Sequence, residues 1–208
     1  MAQSRHDEAI SVAENGSFPP QPAGLSRRNR SIIVDADFHG DSGDVWFVRR
    51  GRSGTPVDEF HRLEKVNGVW RSLGGGGGEP GADLESRPTL ADVVAHNEKT
   101  HVERCAFSFE GGGSHGSRKD PSYRYFHCAR EVAELRFSDV RPSKQLADHG
   151  YVVVMYQGKG PTITAFDLRG TRIGEHTLKP FSTHRMGPLT LIRARWFNQG
   201  KNRRMRGW

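Results

Sequence analysis

The sequence predicts an all-β protein, an antiparallel two-sheet β-sandwich of about eight to ten strands over residues 31–178. Three observations support this fold class. Apolar and polar side chains alternate from Ala133 to Phe137, which is the two-residue period of a half-buried strand. Residues Tyr151–Tyr156 are almost all β-branched or aromatic, which predicts a strand buried on both faces. The 25 glycines and 11 prolines favour a turn-rich β protein over a helical bundle.

Strand patterns begin at residue 31. Apolar runs occupy residues 31–38 and 45–48, with a turn-like segment between them. Residues 60–66 and 69–73 flank Asn67-Gly68, a dipeptide suited to the two positive φ angles of a type I′ hairpin turn. The glycines at 74–78 and the Glu-Pro-Gly that follows predict a linker near residues 74–82, which would divide the domain into two β-rich halves.

The second half contains the only predicted helix and a second hairpin. Residues 88–96 are predicted to be helical, because Thr89 can cap the start and Leu90 and Val93 have helical spacing. Residues 162–168 and 172–178 predict an antiparallel pair across Arg169-Gly170, where glycine supplies the positive φ of a tight turn.

Both cysteines fall in a further candidate hairpin. Symmetric pairing that places Phe107 opposite Phe126 also places Cys105 opposite Cys128, with all four side chains pointing inward. This register allows a cross-strand disulfide if the two Cα atoms lie near ~5.5 Å. The alternative, which a cytosolic chain favours, is two reduced cysteines that pack as small core residues.

The two ends of the chain differ in composition from the middle. Only 34% of residues are hydrophobic, which suggests that part of the chain does not fold. Residues 1–30 are polar and contain proline and serine, so they predict a disordered arm. Residues 179–208 carry eight basic and no acidic residues, whereas residues 31–178 are slightly acidic. The basic pI therefore belongs to a tail that is also predicted to be disordered.

In the tail, cations are interleaved with aromatic residues. Such an arm can bind phosphate backbones and stack on unpaired bases, or bind an anionic membrane surface. The alternative, which we favour, is a solvated tail without a partner. The candidate anion-binding residues are Arg193, Arg195, Trp196, Lys201, Arg203, Arg204 and Arg206.

The best candidate for site chemistry is an acidic segment near the start of the domain. On an extended chain Asp35, Asp37, His39 and Asp41 project to one side, and carboxylates gathered with an imidazole suit a divalent cation. Such a site could polarise water in a metal-dependent hydrolase. The spacing matches neither a calcium-binding loop nor a zinc hydrolase motif. The alternative interpretation is a solvated strand face followed by a turn.

These patterns favour a non-enzymatic binding or interaction module for an unknown protein or small ligand, with no cofactor. Strand tryptophans such as Trp46 and Trp70 could line a ligand groove, although core packing is their commoner fate. The metal-dependent hydrolase and the nucleic-acid or anionic-surface binder remain the alternative functions. No apolar run reaches the ~18–20 residues of a membrane span, and the N-terminus does not resemble a secretory signal, so a cytoplasmic location is expected.

Several of these strands resemble a family. The runs from Ala133 to Phe137, His149 to Val154 and Pro161 to Asp167 look like a β-rich segment of uncharacterised proteins from high-GC actinobacteria. The tract from Asp44 to Val48, the tract from Val69 to Leu73 and the five glycines are similar to the same group. The resemblance covers about half of the chain and implies a fold and a lineage but no activity. Many proteins of this group look envelope-associated, and the missing signal departs from that pattern.

Overall fold

A computed structural model describes residues 4–20, 24–78, 83–99, 105–114 and 121–179. It is mostly β, with three antiparallel sheets and two short helices, which confirms the all-β prediction. The elements in chain order are α1 (Arg5–Asn15), β1 (Ser31–His39), β2 (Ser42–Arg50), β3 (Pro56–Val66), β4 (Val69–Gly76), α2 (Leu90–Lys99), β5 (Phe107–Ser114), β6 (Ser122–Cys128), β7 (Glu134–Phe137), β8 (Lys144–Gln145), β9 (Tyr151–Tyr156), β10 (Thr162–Phe166) and β11 (Arg172–Thr177).

The strands form three sheets, where the sequence predicts two. Sheet A has the order β1-β2-β3-β4, sheet B has the order β5-β6-β9, and sheet C has the order β11-β10-β7-β8. The prediction places all strands in two sheets because local periodicity identifies a strand but not its neighbours. Sheet C arises because β10 pairs with both β7 and β11 instead of joining sheet B.

The predicted turns and the predicted buried strand are confirmed. Asn67 and Gly68 both have positive φ, 52° and 81°, and they connect β3 to β4 as a two-residue hairpin. Gly170 has a φ of 75° in the turn between β10 and β11. Every residue of Tyr151–Tyr156 is buried, because sheet A covers one face of β9 and sheet C covers the other.

Apolar side chains fill three layers of core. The outer face of sheet A packs against α1 through residues such as Phe47 and Leu63. The inner face of sheet A packs against sheet B in a second cluster, which includes Trp46, Val48 and Val153. The far face of sheet B packs against sheet C and α2 in a third cluster that includes Phe126, Val154, Leu135 and Ile163. Sheet B is thus the central layer of the molecule.

Sheets A and B are joined along one side and open along the other. On the joined side, β1 lies against β9. On the open side, the edge strands β4 and β5 line opposite walls of a cleft. The open side is where the candidate site lies.

The prediction of a disordered arm over residues 1–30 is wrong for residues 5–15. Residues Arg5–Asn15 form α1, and Ser4 begins it with a capping box that involves Asp7. Ala9 and Val12 are buried against sheet A. Two apolar residues three positions apart are a weak periodic pattern, and the helix is stabilised by the sheet it covers. The predicted helix is confirmed as α2, with Thr89 at its start, but it is not the only one.

The predicted linker is also wrong in its first part. Gly74, Gly75 and Gly76 belong to β4 and pair with Arg62, His61 and Phe60 of β3, and the oxygen of Gly78 accepts a bond from the Asp58 amide. Glycine is depleted in strands, so the sequence favoured a linker. Residues 79–82 lie outside the described residues.

The register predicted for the cysteine hairpin is displaced by two residues. Phe107 pairs with Cys128 rather than with Phe126, and beyond the bulge between Phe109 and Gly111 the alignment is displaced by one residue more. Cys105 therefore precedes β5 instead of lying opposite Cys128. Both cysteines are buried, and no disulfide joins them. The Cys105 thiol donates to the oxygen of Phe107 at 3.0 Å.

Neither helix in the described part of the chain has the length and apolar character needed to span a membrane.

Candidate functional site

The predicted metal-binding carboxylates Asp35 and Asp37 join β1 to β9. Their Oδ2 atoms accept hydrogen bonds of 2.7 Å from the backbone amides of Val153 and Met155. Asp35 also pairs with Lys144 at 2.7 Å. Burial raises the pKa of Asp35, and the attraction of Lys144 opposes that rise. These two carboxylates take the place that a neighbouring strand would fill in a continuous sheet.

Cationic side chains complete this junction, which we call the β1–β9 seam. Arg141 pairs with Asp37 at 2.9 Å and donates to the oxygen of Met155 at 2.7 Å. Lys144 donates to the oxygens of Ala36 and Val153, each at 3.0 Å. The side chains of the seam therefore supply hydrogen-bond partners for backbone amides and carbonyls at the edge of β9.

The other two predicted ligands lie away from the seam. His39 ends β1 and lines a small cavity with Ser138 and Asp139, and Asp41 is exposed in the turn before β2. Among the residues that the structure describes, no three His, Cys, Asp or Glu side chains are grouped to hold a metal ion. The metal hypothesis gains no support from this geometry and stays a prediction.

The candidate tail residues, from Arg193 to Arg206, lie outside the described residues. Anion binding by the tail stays a prediction.

A cleft of about 770 Å³ lies between the edges of sheets A and B. We call it the glycine cleft. Glycines of β4 and of the segment that follows it form one wall, and Gly111 and Gly112 of β5 form part of the other. The lining residues are Trp46, Asp58, Phe60, Arg62, Leu73, Gly74, Gly75, Gly76, Gly77, Gly78, Gly111, Gly112, Tyr123 and Tyr125.

Aromatic rings form the floor of the cleft. Phe60 and Tyr125 stack with ring centroids 4.2 Å apart, and Trp46 packs 5.3 Å from each of them. Tyr123 lies 5.2 Å from Tyr125. Three of these residues are almost fully buried, whereas Phe60 is partly exposed. The floor is a fixed aromatic surface, held in place by sheets A and B together.

Polar groups at the edge of the rings are held in defined positions. The indole N–H of Trp46 donates to Asp58 at 3.1 Å. Arg62 lies over the ring of Tyr123, 4.7 Å from its centroid, and donates a hydrogen bond to its hydroxyl. A carboxylate, a guanidinium and aromatic rings thus line a single cleft, a combination typical of ligand sites.

A buried carboxyl group lies behind the aromatic floor. Asp44 is opposite Arg62 in the β2–β3 register, so both side chains project from the cleft face of sheet A. Tyr125 donates to its Oδ2 at 3.1 Å, while its buried Oδ1 has no hydrogen-bond partner. Asp44 is 0% exposed. Burial raises its pKa to about 7, although the Tyr125 hydrogen bond and the charge of Arg62 lower it.

Gly74 of the β4 wall has a positive φ of 111°, which favours glycine, and the other four glycines of the wall fall into two groups. A Cβ atom at Gly75 or Gly77 would collide with the backbone of β3, so close strand packing accounts for glycine there. A Cβ atom at Gly76 or Gly78 would meet no atom of the described residues within 4 Å, and neither glycine has a positive φ. Neither steric contact nor backbone conformation explains glycine at these two positions. Glycine in a strand often marks a bulge, a tight bend or a place where a ligand or another backbone approaches closely, and the last of these fits residues that line a cleft.

Of the cleft residues, the sequence predicts only Trp46 as a ligand contact, and it predicts a linker at Gly74 to Gly78. One signal was available. Asp44 and Trp46 alternate on β2, as do Phe60 and Arg62 on β3, which puts polar and aromatic residues on one face. The packing of sheet B against that face depends on residues far away in the sequence, so the local pattern does not predict it.

Comparison with known proteins returned no matching family model, no matching curated protein and no matching solved structure. The resemblance to actinobacterial proteins therefore stays a prediction.

Proposed function

We propose that this protein is a non-enzymatic binding module and that its ligand occupies the glycine cleft. The observation that carries the proposal is the open space beside Gly76 and Gly78, where no contact with the described part of the chain excludes a side chain. Glycine in a strand is destabilising by roughly 0.5–1 kcal/mol relative to alanine, so its presence there favours a role in ligand access.

The polar groups of the cleft support binding rather than catalysis. Arg62 is held by Tyr123, Asp58 by Trp46, and the Tyr125 hydroxyl by Asp44. Burial, foremost, raises the pKa of Tyr125, which keeps its hydroxyl protonated at neutral pH. These groups are arranged to orient a ligand against a rigid aromatic floor.

The test is a ligand screen on the full-length chain, observed through the indole N–H signal of Trp46. The library contains ring-bearing fragments and short peptides. We expect binders that shift this signal in the wild type and bind at least about tenfold more weakly to Gly76→Leu, because the new side chain fills the cleft beside Phe60.

The matched control is Gly24→Leu. Gly24 also has open space around it and no positive φ, and it does not line the cleft. Both variants should fold like the wild type. The proposal fails if no library member shifts the Trp46 signal, or if Gly76→Leu and Gly24→Leu bind equally well.

A further inference from the structure

The glycine cleft shares its β4 wall with a second cavity. This cavity, of about 270 Å³, is lined by His6, Arg49, Asp58, Glu59, His61 and Gly75 to Gly77. We call it the histidine cavity. Phe60 and Arg62 face the glycine cleft, while Glu59 and His61 alternate with them and face the histidine cavity. Residues 75–77 thus have one cavity on each face of the sheet.

The same glycines form an edge. Within the described residues, β4 pairs only with β3. The amide of Asp58 donates to the oxygen of Gly78, so alternation along the ladder directs the amides and carbonyls of Gly75 and Gly77 away from β3. Residues 72–78 contain no charged residue or proline, which are the usual means of preventing strand addition.

The two cavities differ in chemistry. The floor of the glycine cleft is aromatic, and the nearby Leu73 is 58% exposed. The histidine cavity is polar, since Glu59 accepts bonds of 2.8 Å from Arg5, Arg49 and His61. An extended chain lying beside residues 74–78 would direct successive side chains alternately into an aromatic site and a polar site.

We propose that the ligand is an extended peptide segment that adds to sheet A as a fifth strand along residues 74–78. This inference rests on the proposed function and specifies its ligand. Backbone hydrogen bonds to Gly75 and Gly77 supply affinity, and the two cavities supply specificity for alternate side chains. The peptide carries aromatic or large apolar residues toward the glycine cleft and polar residues toward the histidine cavity.

Two features favour a peptide over a single ring-shaped ligand. A ring could occupy the glycine cleft, but it would use neither the histidine cavity nor the backbone edge. Five residues of extended chain span roughly 17 Å, so a peptide of that length covers the whole glycine segment.

The test begins with a displayed library of random decapeptides, selected on the full-length protein. We expect enriched sequences to share a core in which aromatic or large apolar residues alternate with polar ones. A synthetic peptide with the enriched core is then N-methylated in two versions, each at one set of alternate amides. Only the set that faces β4 should matter, so one version should lose at least about tenfold in affinity and the other should retain it.

Three results would overturn the inference: no alternating core is enriched, both N-methylated versions bind equally, or Gly76→Leu binds the peptide as well as Gly24→Leu. If fragments still shift the Trp46 signal in the preceding screen, the proposed binding function stands and only the peptide inference fails. If neither fragments nor peptides bind the cleft, both proposals fail.

Discussion

Asp44 is the residue with the clearest effect on pH dependence. Burial raises its pKa to about 7, so the folded protein holds a proton that the unfolded chain releases near pH 4. The contribution of this proton to the unfolding free energy is fully present below about pH 4 and declines as the pH rises toward 7. Above about pH 7 it no longer changes. Between about pH 4 and pH 7, the titration of Asp44 should therefore lower the unfolding free energy by up to about 4 kcal/mol.

Comparison of the wild type with Asp44→Asn isolates this effect. Asparagine keeps an acceptor for Tyr125 but does not titrate, so the stability of the variant relative to the wild type should rise from pH 4 to pH 7. Urea denaturation across that range measures it. Asp148→Asn is the control, because Asp148 is exposed. If the difference in unfolding free energy between the wild type and Asp44→Asn does not change with pH, the pKa of Asp44 is not raised and the prediction is wrong.

Single residues also show which features can be predicted from the sequence and which cannot. Asn67-Gly68 and Gly170 could be predicted because their turn conformations depend on the residues themselves. Gly76 and Asp44 could not, because their roles depend on what sheet B places opposite them. A glycine that packs against β3 and one that borders a cleft are identical in the sequence.

At the scale of elements, the β1–β9 seam predicts a large effect of a single charge. Asp35→Asn leaves Lys144 without its carboxylate partner in a largely buried position. Loss of one partner of a buried pair should lower the unfolding free energy by about 2–4 kcal/mol. Chemical denaturation measures the change.

Asp41→Asn is the control that separates the seam from the metal hypothesis. Asp41 is exposed and lies outside the seam, so this change should alter the unfolding free energy by less than about 0.5 kcal/mol. Chelation should leave the wild type unchanged if the seam alone accounts for Asp35 and Asp37. A comparable loss in both variants, together with a loss on chelation, would favour the metal site.

The docking of α1 on sheet A gives a further prediction. Val12 is 1% exposed and packs in the cluster that contains Phe47 and Trp70. Val12→Asp buries a charge, so α1 should detach, with rapid amide hydrogen exchange over Arg5–Asn15 and a loss of about 1–3 kcal/mol.

Asn15→Asp adds the same charge at an exposed position of α1 and serves as the control. Amides of α1 in this variant should remain about as protected as in the wild type. Rapid exchange of α1 in the wild type itself would contradict the packing seen here.

Elements were predicted well where local signals determine them and less well where partners do. The strands of both hairpins and the helix α2 carry their own turn or cap residues. By contrast, α1 depends on sheet A, the β5–β6 register includes a bulge that the local pattern does not show, and the division into three sheets depends on distant pairing. The sequence predicts a linker at the five glycines because glycine alone does not favour a strand, and Gly74 to Gly76 form one only because β3 pairs with them.

At the scale of the whole molecule, the seam and the cleft are complementary. The seam closes sheets A and B along β1 and β9, and this leaves β4 and β5 apart on the other side. Trp46 and Tyr125 fill the interior between the two sheets, so the aromatic floor is also part of the core. The ligand site is therefore a consequence of how two sheets meet along only one side.

The relation between seam and cleft can be tested. If the seam fixes the separation of β4 and β5, Asp35→Asn should weaken ligand binding in the cleft even though Asp35 does not line it. A few-fold loss of affinity is expected under conditions where the variant stays folded, measured by titration of the Trp46 indole signal. Unchanged affinity in a destabilised variant would show that the cleft does not depend on the seam.

The most direct measurement is a backbone amide chemical-shift map of the full-length protein with the tightest ligand from the screen. We predict that the largest changes fall on residues 74–78, on Gly111 and Gly112, and on the Trp46 indole, and that Gly76→Leu abolishes them. Changes centred elsewhere in the described sheets, or a map that Gly76→Leu leaves intact, would contradict the claim that the glycine cleft is the binding site.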